Sequence, residues 1–481
     1  MKFSKEIESF IKDYVNDLRE GNAAIFAGAG MSKSAGYVNW PELLSDIAEE
    51  LGLSVDKEWD LISLAQYHVN ESGGKAKINR KILEEFSEQA EPSENHKILS
   101  RLPINTFWTT NYDTLIEDAL KNSNKIVDVK YEIDQLVATR PKRDAILYKM
   151  HGDVNHSAKA IITKDQYQSY YKTHEPFISA LSGDLITKTF LFIGFSFTDP
   201  NLDYVLSRLN IQFGQNTREH YCFIKAVAKE GKDDDEIFAY KRRKQELMIN
   251  DLKRYHIKAL IVDDFAVITQ ALYEIETRYK KKTIFVSGSA EIYGEWTRNN
   301  AQSFIHSLSK SILMNGFNVV NGFGWGVGSA VINGALEAVY EKPEKNSFDQ
   351  LIIRPFPQFK TGKKELPELW EEYRQNMISL AGIGLYLFGN KKNAEGEIVN
   401  AIGVIREFEI SVDQGLIPIP IPTTDYAAKE IFEQIINAPE NFYKGIDWIL
   451  PFIEELNDTT LSEKQIIEKI IKIIQIINSN K

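Results

Sequence analysis

The 481-residue chain has one cysteine, Cys222. One thiol cannot form an internal disulfide, nor a zinc site that needs several thiolates. A reducing compartment is the simple expectation. Long apolar runs are also missing: none approaches the roughly 20 residues of a membrane span. The opening "MKFSKEIESFIKDYVNDLREG" alternates charged with apolar residues and lacks the uninterrupted apolar core of a secretory leader. A cytoplasmic protein with no membrane partner is expected. Nor is there a basic excess, since the net charge is −11. Nucleic-acid binders show a basic stripe. Here the basic cluster from Tyr240 to Lys258 is mixed with Glu and Asp, as on a solvated helix face. No nucleic-acid partner is expected.

What is present is length and rhythm. At roughly 100–200 residues per domain, two or three domains fit. The first part alternates helical stretches with short runs that are almost wholly apolar: "AAIFAG", "TFWTTN", "AILYKMHG", "TFLFIGFS", "HYCFIKA" and "IKALIVDD". Runs without polar alternation suit parallel strands covered on both faces. The pattern predicts a doubly wound α/β domain. Ser54 to Glu94 breaks the rhythm and reads as a helical insertion. After "RYKKKT" a second strand–helix series begins, with "TIFVSGSA", "FNVVNGFGWGVGSA", "QLIIRPFP", "GLYLFGNK" and "LIPIPIP". The expected domains are residues 1–281 and 282–481. The tail "LSEKQIIEKIIKIIQIINSNK" predicts a helix capped by Ser462 and Gln465. Its isoleucines cover more than half the circumference, so it packs on the second domain's core or against another subunit.

Chemistry-bearing residues gather at strand ends. "IFAGAGMSKSAG" leads a strand into Ala27, Gly28, Ala29, Gly30 and Ser32, where backbone N–H groups and a helix start can meet a pyrophosphate. "TTNYD" places Asn111 and Asp113 after the next strand, "MHGD" places His151, and "GFSFTDPN" places Gly194, Ser196 and Asn201. Asn111 also suits a cap for the helix starting near Thr114. Asp113 can orient neighbours or cap the same helix, and Asp199-Pro200 can be a plain turn.

In this order the motifs "GAGMS", "TTNYD", "HG" and "GFSF" resemble the sirtuin-type NAD-binding fold, over most of residues 1–280. The resemblance implies NAD+ as ligand, Asn111 and His151 as catalytic positions, and Ser196 and Asn201 as ribose contacts. Two departures argue against protein deacylation. One cysteine cannot build the sirtuin four-cysteine zinc module, and the Pro-Asp-Phe-Arg continuation of the glycine turn is absent from "KSAGYVNW". Cleavage of the nicotinamide–ribose bond is the chemistry left, with NAD+ as substrate and no metal.

In the second half, "VSGSA" (Ser287, Gly288, Ser289) and "NGFGWGVGSA" (Gly322, Gly324, Gly326, Gly328) form two adjacent glycine loops, suited to a nucleotide's phosphates or to close helix–strand packing. Residues 283–440 resemble the SLOG family of Rossmann-like nucleotide-binding domains. Of that superfamily's catalytic Pro-Gly-Gly-x-Gly-Thr-x-x-Glu loop, "NAIGVIREFE" keeps Gly403 and Glu407 only. A pocket that binds without turnover is expected. Arg354, Arg374 and Lys391 at neighbouring positions suit an anion, Lys391, after a Gly-Asn strand end, before the other two. A sirtuin-like domain followed by a SLOG domain resembles the effectors of the bacterial Thoeris anti-phage systems. The resemblance implies a cyclic ADP-ribose-type activator bound to the SLOG domain, NAD+ depletion during infection, and a homo-oligomer, specifically a homotetramer. The other readings are an NAD-dependent deacylase and a non-catalytic nucleotide sensor or scaffold.

Overall fold

Strands with no polar face need cover on both sides, and the helices between the apolar runs supply it. The computed structural model describes residues 3–479 except 59, 88–89, 215, 230, 232–233 and 361. The chain forms two units, Met1–Glu276 and Thr277–Lys481.

In the first unit β1 (Ala23–Ala27), β2 (Thr106–Thr109), β3 (Val127–Lys130), β4 (Ala145–Lys149), β5 (Thr189–Ile193), β6 (His220–Lys225) and β7 (Ile257–Val262) form one sheet. Their order is β3-β4-β2-β1-β5-β6-β7, and every pairing is parallel. Every residue of β1 and β5 is buried. The chain builds one side of β1 with β2 to β4 and the other with β5 to β7. The order therefore switches between β1 and β5, the place where such sheets bind ligands. Helices Trp40–Glu50, Leu61–Ser72 and Ala76–Phe86 bury a separate cluster around Leu43, Leu44, Ile47, Leu64, Ile78 and Ile82. The expected helical insertion contributes the last two. Cys222 is buried in β6, where desolvation pushes its thiol up to about 12.

In the second unit β8 (Thr283–Ser287), β9 (Asn318–Asn321), β10 (Leu351–Ile353), β11 (Ile383–Tyr386) and β14 (Ile417–Pro420) make a parallel sheet ordered β10-β9-β8-β11-β14. Between its last two strands in sequence, β12 (Asn390–Lys392) and β13 (Ile398–Asn400) pair as an antiparallel hairpin. The prolines of "IPIP" sit on the edge strand β14, where a missing N–H costs least. The last helix, Glu463–Ser479, starts with the expected Ser462–Gln465 box. It buries Ile466, Ile467, Ile470, Ile471, Ile473, Ile474 and Ile477 in the unit's main core. Core packing thus accounts for its broad apolar face. Among the described residues no helix is long and apolar enough to cross a membrane.

Candidate functional site

The strands carrying the four motifs are neighbours, in the order β4-β2-β1-β5. Ala27 is level with Thr109 and Ile193, and Thr109 with Lys149. Gly28, Asn111, His151 and Gly194 therefore leave the sheet side by side at its carboxyl edge.

The first need for glycine in this turn is internal. A Cβ on Gly28 would lie 2.5 Å from the Gly194 carbonyl oxygen, and one on Gly194 would lie 2.1 Å from the Met31 nitrogen. Gly28 donates its N–H to Ile193 (2.9 Å) and Gly30 donates to Gly194 (2.9 Å). The two loops at the switch point are packed backbone to backbone, and those two amides are already used. Ala29 opens the short helix Ala29–Lys33.

Ser32 is buried in that helix and joins the β1 turn to the β2 turn. Its hydroxyl accepts from Asn111 Nδ2 (2.9 Å) and donates to Asp113 Oδ2 (2.7 Å). Asp113 Oδ1 accepts the Leu115 N–H at 3.1 Å, so this carboxylate both orients and caps. Burial pushes its pKa up, against the pull of Lys149 and Ser32. Thr109 fixes the base of the turn, donating to Ala27 O (2.9 Å) and accepting from Asn111 N–H (3.0 Å).

Beneath lies a charge the sequence reading did not single out. Lys149 is fully buried, with Nζ donating to Tyr112 O (3.0 Å), Asp113 O (2.6 Å), Glu117 Oε1 (3.0 Å) and Asp153 Oδ2 (2.6 Å). Burial opposes its charge, but the surrounding carboxylates outweigh burial and hold its pKa above the usual value. A lysine inside a nearly continuous apolar strand was the available signal.

His151 lies in a second, separate cluster, 1% exposed. Its Nε2 is 3.3 Å from Asp199 Oδ2 and 3.5 Å from Asn201 Nδ2, and its Nδ1 is 3.3 Å from the Tyr167 hydroxyl. Burial pushes the imidazole pKa down, with Asp199 opposing. Asp199, which also reads as a turn residue, is thus the partner of His151, and Asn201 is buried against the same ring. Ser196 is exposed and paired with Thr198 at 2.8 Å. Phe197 in this loop has φ of 57°, a left-handed conformation unusual for a bulky residue and often found at functional sites.

Ala29, Ser32, Asn111 and Asp113 line a cleft walled by Trp40, Leu43, Phe86 and Tyr112. His151 does not line it. It lies behind Tyr167, whose ring is 5.1 Å from the imidazole and 6.3 Å from Trp40.

In the second unit the glycine loops are also packed on each other. A Cβ on Gly324 would meet the Gly288 carbonyl at 2.0 Å, and one on Gly326 the Ala290 carbonyl at 2.1 Å. A Cβ on Gly322 would meet the Phe356 ring and one on Gly328 the Phe323 backbone, at 2.8 and 2.7 Å. Ser289 O receives the N–H groups of Gly389 and Asn390. Four predicted residues converge: Ser287 Oγ donates to Glu407 Oε2 (2.5 Å), Arg374 Nε lies 3.6 Å from Glu407 Oε1, and Gly403 leaves Arg374 Nη2 just 3.2 Å from where a Cβ would be. Arg374 also lies over the Phe356 ring, 5.0 Å from its centre. Arg354 and Lys391 are exposed, Lys391 on the β12–β13 hairpin.

Residues 105–247 match the SIR2-like domain family, and residues 267–477 match the Sir2- and TIR-associating SLOG family. Over its whole length, and that of the relative, the chain is 49% identical to NAD(+) hydrolase ThsA of Bacillus cereus strain MSX-D12. It is 44% identical to the protein of that name from Cytobacillus dafuensis, over 98% of this chain and 97% of the other. It is 43% identical to that from Acinetobacter baumannii strain 532279, over 99% and 100%.

Proposed function

Because the chain belongs to the family of NAD(+) hydrolases named ThsA, and so cleaves the nicotinamide–ribose bond of NAD+, we propose that the cleavage occurs where β1, β2, β4 and β5 end, with Asn111 and His151 as its catalytic residues. The observation that carries this is the register of β2 and β4: Asn111, hydrogen-bonded to Ser32, comes two residues after Thr109, and His151 comes two residues after Lys149, which is level with Thr109 on the adjacent strand. Nicotinamide leaves as a neutral molecule, so its departure needs no general acid. The C–N bond breaks with its electron pair going to the ring nitrogen, and positive charge builds on the ribose. Water bonds to the ribose carbon and loses a proton. Asn111 places the ribose or the water, and His151 takes the proton.

Tyr167 stands between His151 and Trp40 of the cleft wall, an arrangement that fits a resting state. An enzyme that depletes its cell's NAD+ must be off until signalled. In this proposal a cyclic ADP-ribose isomer binds the second unit beside Ser287, Gly288, Ser289, Arg374, Gly403 and Glu407, and shifts the chain to an open state. A ligand shifts such an equilibrium only by its differential affinity. Going from 1:99 to 99:1 takes about 5.5 kcal/mol, which a homotetramer can share among its subunits. The role is anti-phage defence in the cytoplasm.

The test is nicotinamide release by the full chain with and without a cyclic ADP-ribose isomer. Release accelerated by the isomer, and absent in Asn111→Ala, is expected. Full turnover by Asn111→Ala removes the site assignment. An isomer that binds tightly without changing the rate removes the regulation.

A further inference from the structure

His151 lies between Met150 and Gly152, so its ring is oriented by groups from elsewhere in the fold. Asp199 is the best fixed of these. Its Oδ1 accepts the backbone N–H of Asn201 (3.0 Å) and Leu202 (2.9 Å), capping the helix Pro200–Phe213. That grip aims Oδ2 at His151 Nε2, 3.3 Å away, with the carboxylate 10% exposed and the imidazole 1%. A carboxylate only accepts hydrogen bonds, so the nitrogen facing it carries the proton. The other nitrogen, Nδ1, then holds the lone pair, 3.3 Å from the Tyr167 hydroxyl, which also lies within hydrogen-bonding reach of Asp199. Asn201 serves the same nitrogen as Asp199 when its carboxamide is turned to present Oδ1.

We propose that Asp199 is the positioning residue of His151: it holds the ring in the Nε2–H form and leaves Nδ1 as the nitrogen that takes up a proton during NAD+ cleavage. This rests on the reading of His151 as the base. As water bonds to the ribose carbon and the C–N pair leaves with nicotinamide, one water proton passes to Nδ1. The resulting imidazolium is stabilised by Asp199, which does not itself become protonated. In the structure the Tyr167 O–H holds the place beside Nδ1 that the water must take. Tyr167 therefore gives up that place in the open state, and Trp40, which lines the cleft beside Asn111, packs on it.

Asp199→Asn tests this in the full chain. Asparagine caps a helix as well as aspartate does, so the fold is retained, and thermal unfolding checks that. Its amide presents N–H to the ring and favours the opposite tautomer. Nicotinamide release should fall on the order of 10²–10⁴-fold, the span of general-base catalysis. Long-range 1H–15N spectra, with the His151 signals identified by their loss in His151→Ala, should show Nε2–H in the wild type and Nδ1–H in Asp199→Asn. A rate within about two-fold of wild type overturns the proposal, as does an unchanged Nε2–H ring in the variant. If the variant does not fold, the wild-type spectrum decides: Nδ1–H there overturns it. His151→Ala separates the two readings. Full release by His151→Ala rejects His151 as the base, whereas the tautomer spectrum still judges what Asp199 does to the ring.

Discussion

Asn111 donates to the Ser32 hydroxyl across 2.9 Å, bringing together residues 79 apart in sequence. Ser32 in turn donates to Asp113. The carboxamide is therefore aimed by the short helix after the glycine turn, and the serine there is part of the aiming. Ser32→Ala leaves Asn111 free to turn and takes the donor from a buried carboxylate. Nicotinamide release should drop about ten-fold, on the order of one hydrogen bond's 1.4 kcal/mol, and by less than in Asn111→Ala. Initial rates for both variants check the order. Equal rates for Ser32→Ala and wild type would show that Asn111 needs no such support.

The turn that carries Ser32 is held by the loop after β5. Gly194 has φ of 65°, and an added Cβ would lie 2.1 Å from the Met31 nitrogen. Gly21 has φ of 72° and nothing within 4 Å. Both glycines escape the left-handed penalty, but only one fills a contact. Gly194→Ala should cost about 3 kcal/mol, summing strain and overpacking, against about 1 kcal/mol for Gly21→Ala. Urea unfolding of the two variants measures the difference. Similar losses would mean that the two loops separate easily.

Much of this arrangement is legible in the sequence, for a physical reason. β1, β2, β4 and β5 are mostly apolar on both faces because they are central, and the glycines, Asn111 and His151 come where they leave the sheet. A glycine, an asparagine and a histidine at such ends are visible against the apolar run. β3 escapes that logic. Its "VDVK" puts Asp128 and Lys130 on an edge strand, where they pair at 2.8 Å and Arg143 adds a second contact to Asp128 at 3.1 Å. Charged residues that satisfy each other look like loop. The close approach expected of the glycine turn is real, but its first partner is the chain itself. Asp199 and Tyr167 were illegible as partners of His151 because nothing local marks a contact made across the fold.

Lys149 ties the β2 turn to the loop after His151, since its Nζ meets both Asp113 O and Asp153 Oδ2. Methionine fills similar space but leaves Glu117 and Asp153 buried without their cation. Lys149→Met should destabilise the chain by roughly 3–5 kcal/mol, the range for breaking a buried pair. The double variant Lys149→Met with Glu117→Gln should recover part of it. Chemical denaturation of both decides. No recovery would place the loss in the backbone contacts to Tyr112 and Asp113 instead.

His220 sets a pH dependence of stability. Its Nδ1 accepts the Phe190 N–H at 3.2 Å. Burial, with His256 and Arg218 adding, pushes its pKa down to about 3. The folded pKa lies below the unfolded value, so the native state keeps the ring neutral while the unfolded chain takes a proton. The stabilisation is complete above about pH 6.5. It is lost progressively as pH falls towards 3. At pH 5 the loss from this one group is roughly 2 kcal/mol. His220→Asn keeps an acceptor and removes the titration. Urea midpoints at pH 7.5 and 5 should therefore differ less in the variant than in the wild type. Equal differences would place the titration elsewhere.

In the second unit the cations differ in setting. Arg374 is 18% exposed and pinned beside Glu407 and the Phe356 ring. Lys391 is exposed on a hairpin. A guanidinium already oriented and partly desolvated loses little freedom on meeting a phosphate, and its field is weakly screened. An exposed ammonium must be ordered and works through salt water. For a cyclic ADP-ribose isomer titrated by calorimetry, Arg374→Ala should lose on the order of ten-fold or more in affinity, and Lys391→Ala only a few-fold. Raising salt should erase most of the Lys391 effect and little of the Arg374 effect. The reverse order would move the phosphates from the Arg374–Glu407 cluster to the hairpin.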